Sequence, residues 1–344
     1  MNTTLKRWAI PFGILGLLTV ITALIDDPFT SAQMQRKETI EIDGSSTVYP
    51  ITKVIASEFD GSEGNKVPIK VGISGTTGGF RKFCEGKTDI SNASRPILKE
   101  EMAVCNRNKV NYVELPIAFD ALTVVVNPKN DWAKDITIAE LQKIWEPAAE
   151  GRITKWNQIR STWPDKPLNL YGPDKDSGTF DYFTQATVGK SKASRNDYTD
   201  SEDDNVLVKR VSQDPNALAY FGMAYYQANT SQLKAVAVDN GKGSVLPSRQ
   251  TVEKTQYQPL SRPLFIYVNF KSAQTKPKVK KFVDFYLANA PTFVSQVGYI
   301  PLSTEVYHLG SVQFHQGELG TVFNGETHLN LTLAEMLNKR ANLF

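Results

Sequence analysis

Three short segments of this 344-residue chain carry the residue types that hold an anion. They are Asp43-Gly44-Ser45-Ser46-Thr47-Val48-Tyr49-Pro50, Ser74-Gly75-Thr76-Thr77-Gly78-Gly79-Phe80 and Asp174-Lys175-Asp176-Ser177-Gly178-Thr179-Phe180. Each sets glycine and small hydroxylated residues between a strand-like run and a helix-like run. Unpaired N–H groups at a helix start attract negative charge, glycine lets the backbone come close, and Ser and Thr add neutral donors. A single segment of this kind is usually a helix cap. Three converging on one cleft would surround a small tetrahedral oxyanion with donors.

The composition excludes other chemistries. Hydrophobic residues make up 41% and charged residues 22%, which fits a globular protein and not a disordered chain. The 39 basic and 36 acidic side chains leave a net charge of +3 and form no long basic block, so nucleic acid is not an expected partner. His308, His315 and His328 all lie near the C-terminus, leaving the body without an imidazole base or ligand. Neither catalysis, a metal nor a cofactor is therefore expected. Ser177 superficially resembles a nucleophile, as in a secreted phosphate-ester hydrolase, but the Gly-x-Ser-x-Gly elbow is absent. The run Glu202-Asp203-Asp204 lacks the spacing of a calcium loop and reads as solvated surface. Tyr220, Phe221, Tyr225 and Tyr226 read as packing of a strand against a helix.

The elements that must position these residues alternate along the chain. Lys6 and Arg7, an apolar run from Trp8 to Leu24 and the small residues Thr30-Ser31-Ala32 read as a signal peptide over residues 1–32; an uncleaved membrane anchor is the alternative. Export would permit a disulfide between Cys84 and Cys105, or leave two packed thiols. Strands are expected at Thr39–Asp43, Lys66–Ile73, Ala121–Asn127, Asn169–Tyr171, Leu218–Phe221 and Pro263–Asn269. Helices are expected at Ile51–Phe59, Gly79–Glu85, Ile138–Ile144, Phe180–Val188 and Pro277–Ala288, with a surface loop over Ser191–Asp204 and a short helix at Leu331–Asn338. Alternation of this kind argues α/β architecture, and the length favours two domains. The similar apolar runs Leu122–Asn127 and Leu264–Asn269 could each cross a domain boundary, or be ordinary central strands.

The strings Asp43–Pro50, Gly75–Phe80, Ser91-Asn-Ala-Ser-Arg-Pro96, Asp120–Asn127 and Asp176-Ser-Gly-Thr-Phe-Asp-Tyr-Phe183 resemble the periplasmic phosphate-binding protein of the high-affinity phosphate ABC transporter, its cyanobacterial-type members in particular. The resemblance runs in order from about Ile40 to Tyr307. It implies a type II periplasmic-binding fold: two α/β lobes joined by two crossing strands, with a ligand cleft between them. Lobe 1 would comprise residues 38–126 plus 265–310, lobe 2 residues 127–264, and a C-terminal extension residues 311–344. The implied protein is a periplasmic monomer serving phosphate transport under phosphate starvation, its partners inorganic phosphate and a membrane permease. Sulfate or molybdate is the alternative ligand.

The resemblance maps the donor loops onto Ser46, Thr47 and Val48, onto Thr76 and Thr77, and onto Ser177, Gly178 and Thr179. This chain departs from better-known members in having Pro173 where they carry an arginine, and Arg95 where they carry an aspartate. Arg95 is accordingly expected to offer its planar fork to phosphate. Phosphate near neutral pH carries a proton that sulfate lacks, so a buried carboxylate acceptor would separate the two. Asp120 is the first candidate for that role, followed by Asp176 and Asp43.

Overall fold

The computed structural model describes residues 38–62, 67–326 and 328–341. The expected signal peptide lies outside them. Among these residues the strands are β1 (Ile40–Gly44), β2 (Ile69–Val71), β3 (Ile90–Ala93), β4 (Tyr112–Val126), β5 (Asp135–Thr137), β6 (Asn169–Gly172), β7 (Thr199–Asp200), β8 (Ala217–Gly222), β9 (Lys234–Ala235), β10 (Ala237–Asp239), β11 (Ser244–Val245) and β12 (Ser261–Asn269). The helices are α1 (Tyr49–Gly61), α2 (Gly75–Cys84), α3 (Lys99–Arg107), α4 (Ile138–Trp145), α5 (Gly178–Thr187), α6 (Asp204–Gln213), α7 (Met223–Gln227), α8 (Arg249–Glu253), α9 (Phe270–Thr275), α10 (Pro277–Gln296), α11 (Thr304–Gln316) and α12 (Leu333–Ala341).

The main sheet runs β2-β1-β3-β12-β4-β8-β6-β7, with β9 also paired to β4; β11, β10 and β5 form a small second sheet. β1, β2 and β3 are parallel and are connected through α1 and α2. β4 is buried along its whole length and changes partner midway. Through Ala121 it pairs antiparallel with β12, and from Leu122 to Val126 it pairs with β8. β4 thus links the β2-β1-β3-β12 part of the sheet to the β8-β6-β7 part.

Local chemistry explains where the expectations needed adjustment. β4 begins at Tyr112, nine residues before the expected Ala121, because Pro116 breaks the sequence signal without breaking the strand. β12 begins at Ser261 and so includes Arg262; Pro263 is accommodated next to a register shift at Leu264/Phe265. Cys84 at the end of α2 and Cys105 in α3 form a disulfide. In the C-terminal region, Phe323 is buried edge-on against Phe265, 5.5 Å between ring centres, and the Gly320 N–H donates to the Tyr112 carbonyl at 2.8 Å. Among the described residues no helix is long and apolar enough to cross a membrane.

Candidate functional site

The three hydroxyl-rich segments leave the sheet at the carboxyl ends of β1, β2 and β6, where ligands of open α/β sheets bind. Each leads into a helix: Pro50 sits in the first turn of α1, Gly75 opens α2, and Ser177 caps α5. Gly75 has φ +71°, and a Cβ there would lie 2.3 Å from the Asp176 carbonyl oxygen. That close approach lets the Thr77 N–H donate to the same carbonyl at 2.9 Å. A Cβ on Gly178 would lie 2.3 Å from Thr76 Oγ1 and 2.5 Å from Ser94 Oγ. Only glycine lets the second and third loops meet here. The first and third loops meet through a hydrogen bond between the Thr47 and Thr179 hydroxyls at 2.8 Å. The structure therefore brings together all three segments, and Ser46, Thr47, Val48, Thr76, Ser177, Gly178 and Thr179 are buried there, with Thr77 half-buried. Ser177 Oγ accepts from the Thr179 N–H at 3.2 Å, so this hydroxyl caps its helix.

Beneath these loops lies an ion pair between the crossing strands. Arg262 of β12 stands directly opposite Asp120 of β4 in the strand register, and both side chains are fully buried. The guanidinium donates to Asp120 Oδ2 through Nε (3.2 Å) and Nη2 (3.0 Å). It also donates to Thr179 Oγ1 at 2.8 Å, to Thr47 Oγ1 at 3.3 Å and, through Nη1, to the Gly178 carbonyl at 3.0 Å. One arginine thus touches two of the three donor loops. The other Asp120 oxygen accepts from the Met223 N–H at 2.9 Å. Burial pushes the Asp120 carboxyl up, and Arg262 with the Met223 amide opposes that shift.

Arg95 is placed differently from the expectation. It is also buried, but its donors point to protein: Nε to Asp181 Oδ2 (2.7 Å), Nη1 to Glu101 Oε2 (2.8 Å) and the Pro96 carbonyl (3.1 Å), Nη2 to Glu101 Oε1 (2.8 Å) and Thr77 Oγ1 (2.9 Å). A guanidinium has five N–H groups, and these five bonds account for all of them. Burial disfavours its charge, yet Glu101 and Asp181 more than offset this and hold it protonated above the usual range. Arg95 therefore joins a carboxylate of α3 to one of α5 and presents no free fork to the cleft.

The remaining carboxylates divide sharply. Asp176 makes an exposed ion pair with Arg81 at 3.2 Å. Asp43 accepts from the Gly44 N–H and the Ser74 hydroxyl, each at 2.7 Å, and pairs with Lys82. Both act locally at their turns. The run Glu202-Asp203-Asp204 is not the uniform solvated face expected: Asp203 is exposed, Glu202 half-buried and Asp204 buried. Glu202 Oε1 accepts from the Ser46 N–H at 3.4 Å, and the Tyr225 hydroxyl donates to the Ser46 carbonyl at 2.9 Å. Tyr220 stacks on Phe183 of α5 with 3.6 Å between ring centres, a packing role.

Sequence reasoning missed Arg262, Asp181, Glu101 and Asp204. Arg262 did leave a signal: a charged residue beside an apolar crossing strand must find a buried partner, and Asp120 is the acid embedded in the other.

A family model described as a PBP superfamily domain matches residues 30–290. The chain belongs to that superfamily, and its fold is the type II periplasmic-binding fold of two lobes joined by crossing strands. It is 60% identical over 308 residues to Protein SphX of Synechocystis sp. (strain ATCC 27184 / PCC 6803 / Kazusa), covering 90% of this chain and 91% of that protein. It is 35% identical over 268 residues to the phosphate-binding protein PstS of Staphylococcus saprophyticus, covering 77% of this chain and 81% of that one. Among solved structures it is similar to one assigned as a phosphate ABC transporter substrate-binding protein from Clostridium perfringens, which holds bound phosphate. There the TM-score is 0.63 at 25% identity, over 77% of this chain and all of that one. These matches bear out the family resemblance seen in the sequence, including its cyanobacterial-type placement.

Proposed function

We propose that the protein is an extracytoplasmic receptor that captures inorganic phosphate between its lobes and delivers it to the membrane permease of an ABC transporter. The observation that carries this reading is the meeting of the three donor loops beside the fully buried Arg262. Backbone amides and hydroxyls supply neutral donors, and Arg262 supplies one positive charge that Asp120 orients. Arg262 Nη2 donates to both the Thr47 and Thr179 hydroxyl oxygens; one of these hydroxyls donates to the other, which leaves a single hydroxyl hydrogen for a further partner. Relatives named for phosphate, and a similar structure containing it, support the choice of anion. Closure then follows from differential affinity: the anion touches loops of both lobes only when they are together. Export by the N-terminal segment, a lobe boundary near residues 126 and 264, and a monomeric receptor belong to the same reading.

Arg262 replaces Arg95 as the proposed cationic ligand, because the five Arg95 donors end on protein acceptors. Asp120, with one oxygen on Arg262 and the other on the Met223 amide, is proposed as the group that orients the arginine. Calorimetric titration with phosphate, followed by competition with sulfate and molybdate, tests the function. Phosphate should bind with one site per chain and resist displacement by either competitor at comparable concentration. Displacement by sulfate or molybdate would assign the receptor to that oxyanion instead.

A further inference from the structure

Asp204, in the first turn of α6, is only 1% exposed and hydrogen-bonds the Ser46 side chain of the first donor loop. Its Oδ2 has no hydrogen-bond partner, and the buried Tyr299 hydroxyl beside the same charges has none either. A buried carboxyl oxygen without a partner is costly unless it carries a proton or meets a ligand. Its surroundings are those of the anion site. Ser46 of the first loop, Asp120 of β4 and Arg262 of β12 all act on it, as does Asp203 on its own segment. Tyr225 of α7 and Tyr299 also feel its charge. Glu202, two residues earlier, reaches across to the Ser46 N–H, and Asp174 after β6 faces Glu202.

The electrostatics of closure follow from these positions. Exposed to water in an open cleft, Asp204 would ionise in the ordinary carboxylate range, about 4. With the lobes together, burial dominates and pushes its carboxyl up to about 8; Asp120 and Asp203 add to the shift, and Ser46 and Arg262 oppose it. Glu202 is pushed up to about 9 by burial, then by Asp174 and Asp204. A bound anion would add negative charge to the same enclosure and favour the neutral carboxyl further.

We propose that Asp204 is a proton-bearing partner of the anion site, which takes a proton from solvent onto Oδ2 as the lobes close on phosphate. The neutral carboxyl then offers the ligand one O–H donor and retains acceptor capacity for the proton of a hydrogen phosphate. This rests on the phosphate reading above. Capture becomes coupled to proton uptake. Because the closed-state group is harder to ionise than the open one, its contribution to closure is complete below the ordinary carboxylate range and is lost as pH rises to about 8. Within that window phosphate affinity should fall by up to about tenfold per pH unit relative to a chain that cannot ionise there.

Asp204→Asn supplies that chain, since the amide is neutral at every pH. Calorimetry of phosphate binding by the full chain, in two buffers of different ionisation enthalpy, counts the protons taken up. Comparing the variant with the wild type cancels the titration of phosphate itself. The expected result is close to one proton more for wild type than for Asp204→Asn between about pH 5 and 7, and a variant affinity that falls less steeply with pH. A second readout does not need the variant: phosphate-induced infrared difference spectra of wild type should show a protonated-carboxyl C=O band at neutral pH. Phosphate binding with equal proton counts, or without that band, overturns this inference alone. No phosphate binding by wild type overturns the functional reading, and this one with it.

Discussion

Two arginines, Arg95 and Arg262, lie at the cleft, each buried, each touching a donor loop and each facing carboxylate. Around Arg95 there are two carboxylates, Glu101 and Asp181, and every N–H of the guanidinium ends on a protein acceptor. Arg262 hydrogen-bonds one carboxylate, Asp120, with Asp204 nearby, and one Nη1 hydrogen is not used in its protein bonds. The first corner spends every guanidinium donor, carries an excess of negative charge and leaves one Asp181 oxygen without a partner. The second is balanced and keeps capacity for an anion. Proximity to a site and positive charge are the same in both corners; what differs is the count of donors left over. On the lobe division proposed above, Asp181 in α5 and the turn that carries Arg95 fall on opposite sides of the cleft, so Arg95 bears on closure. On that reading it acts as a latch and Arg262 as the ligand.

The largest effect should come from Arg262→Met. Truncating one member of a buried, hydrogen-bonded charge pair costs about 2–5 kcal/mol, and here the bound anion would lose the same group. Phosphate affinity measured by calorimetry should fall roughly a hundredfold or more, with the fold retained by circular dichroism. A smaller loss for Arg262→Met than for Arg95→Ala would reverse the comparison and restore the expectation drawn from the sequence.

The sequence carried the donor loops and the α/β alternation, because those signals are local: glycine and hydroxyls at a strand end, followed by a helical pattern. It also carried Asp120 as the acid of a crossing strand. It could not show that the Arg95 donors are taken up by protein, because the partners of Arg95 are set by tertiary contact. Asp181 lies 86 residues away in the chain, and no spacing rule connects the two. Asp204 was misjudged for a similar reason. A run of three acids reads as surface, yet helix geometry turns Asp204 inward and leaves Asp203 exposed as the N-cap.

The next effect in size is that of the latch. Asp181→Asn and Arg95→Ala should each weaken phosphate binding by about 2 kcal/mol, the worth of a charge-assisted hydrogen bond. Together they should cost little more than either alone, because both remove the same contact. A double-mutant cycle on phosphate affinity checks this. Fully additive losses would mean that Arg95 contacts the anion independently of Asp181, and the distinction between latch and ligand would fail. Small-angle scattering on the same variants separates the roles further, since a weakened latch should leave more of the open form at a given phosphate occupancy.

The smallest effect on binding is expected from the Cys84–Cys105 disulfide, even though it sits behind the Arg95 corner. The bridge ties α2, which carries Thr76 and Thr77, to α3, which carries Glu101. Its residues are 21 apart, and a loop of that length constrains the unfolded chain by about 3 kcal/mol. Both cysteines are nonetheless packed in the core of one lobe, and the helices they join also bury Phe80, Phe83 and Cys105 against it. The folded geometry should therefore survive without the bond. Replacing both cysteines by serine is expected to lower the urea-unfolding free energy by about 3 kcal/mol while changing phosphate affinity by less than about 0.5 kcal/mol. A large loss of affinity would show that the Glu101 end of the latch depends on the covalent tether, and the Arg95 corner would then be held by the disulfide as much as by its ion pairs.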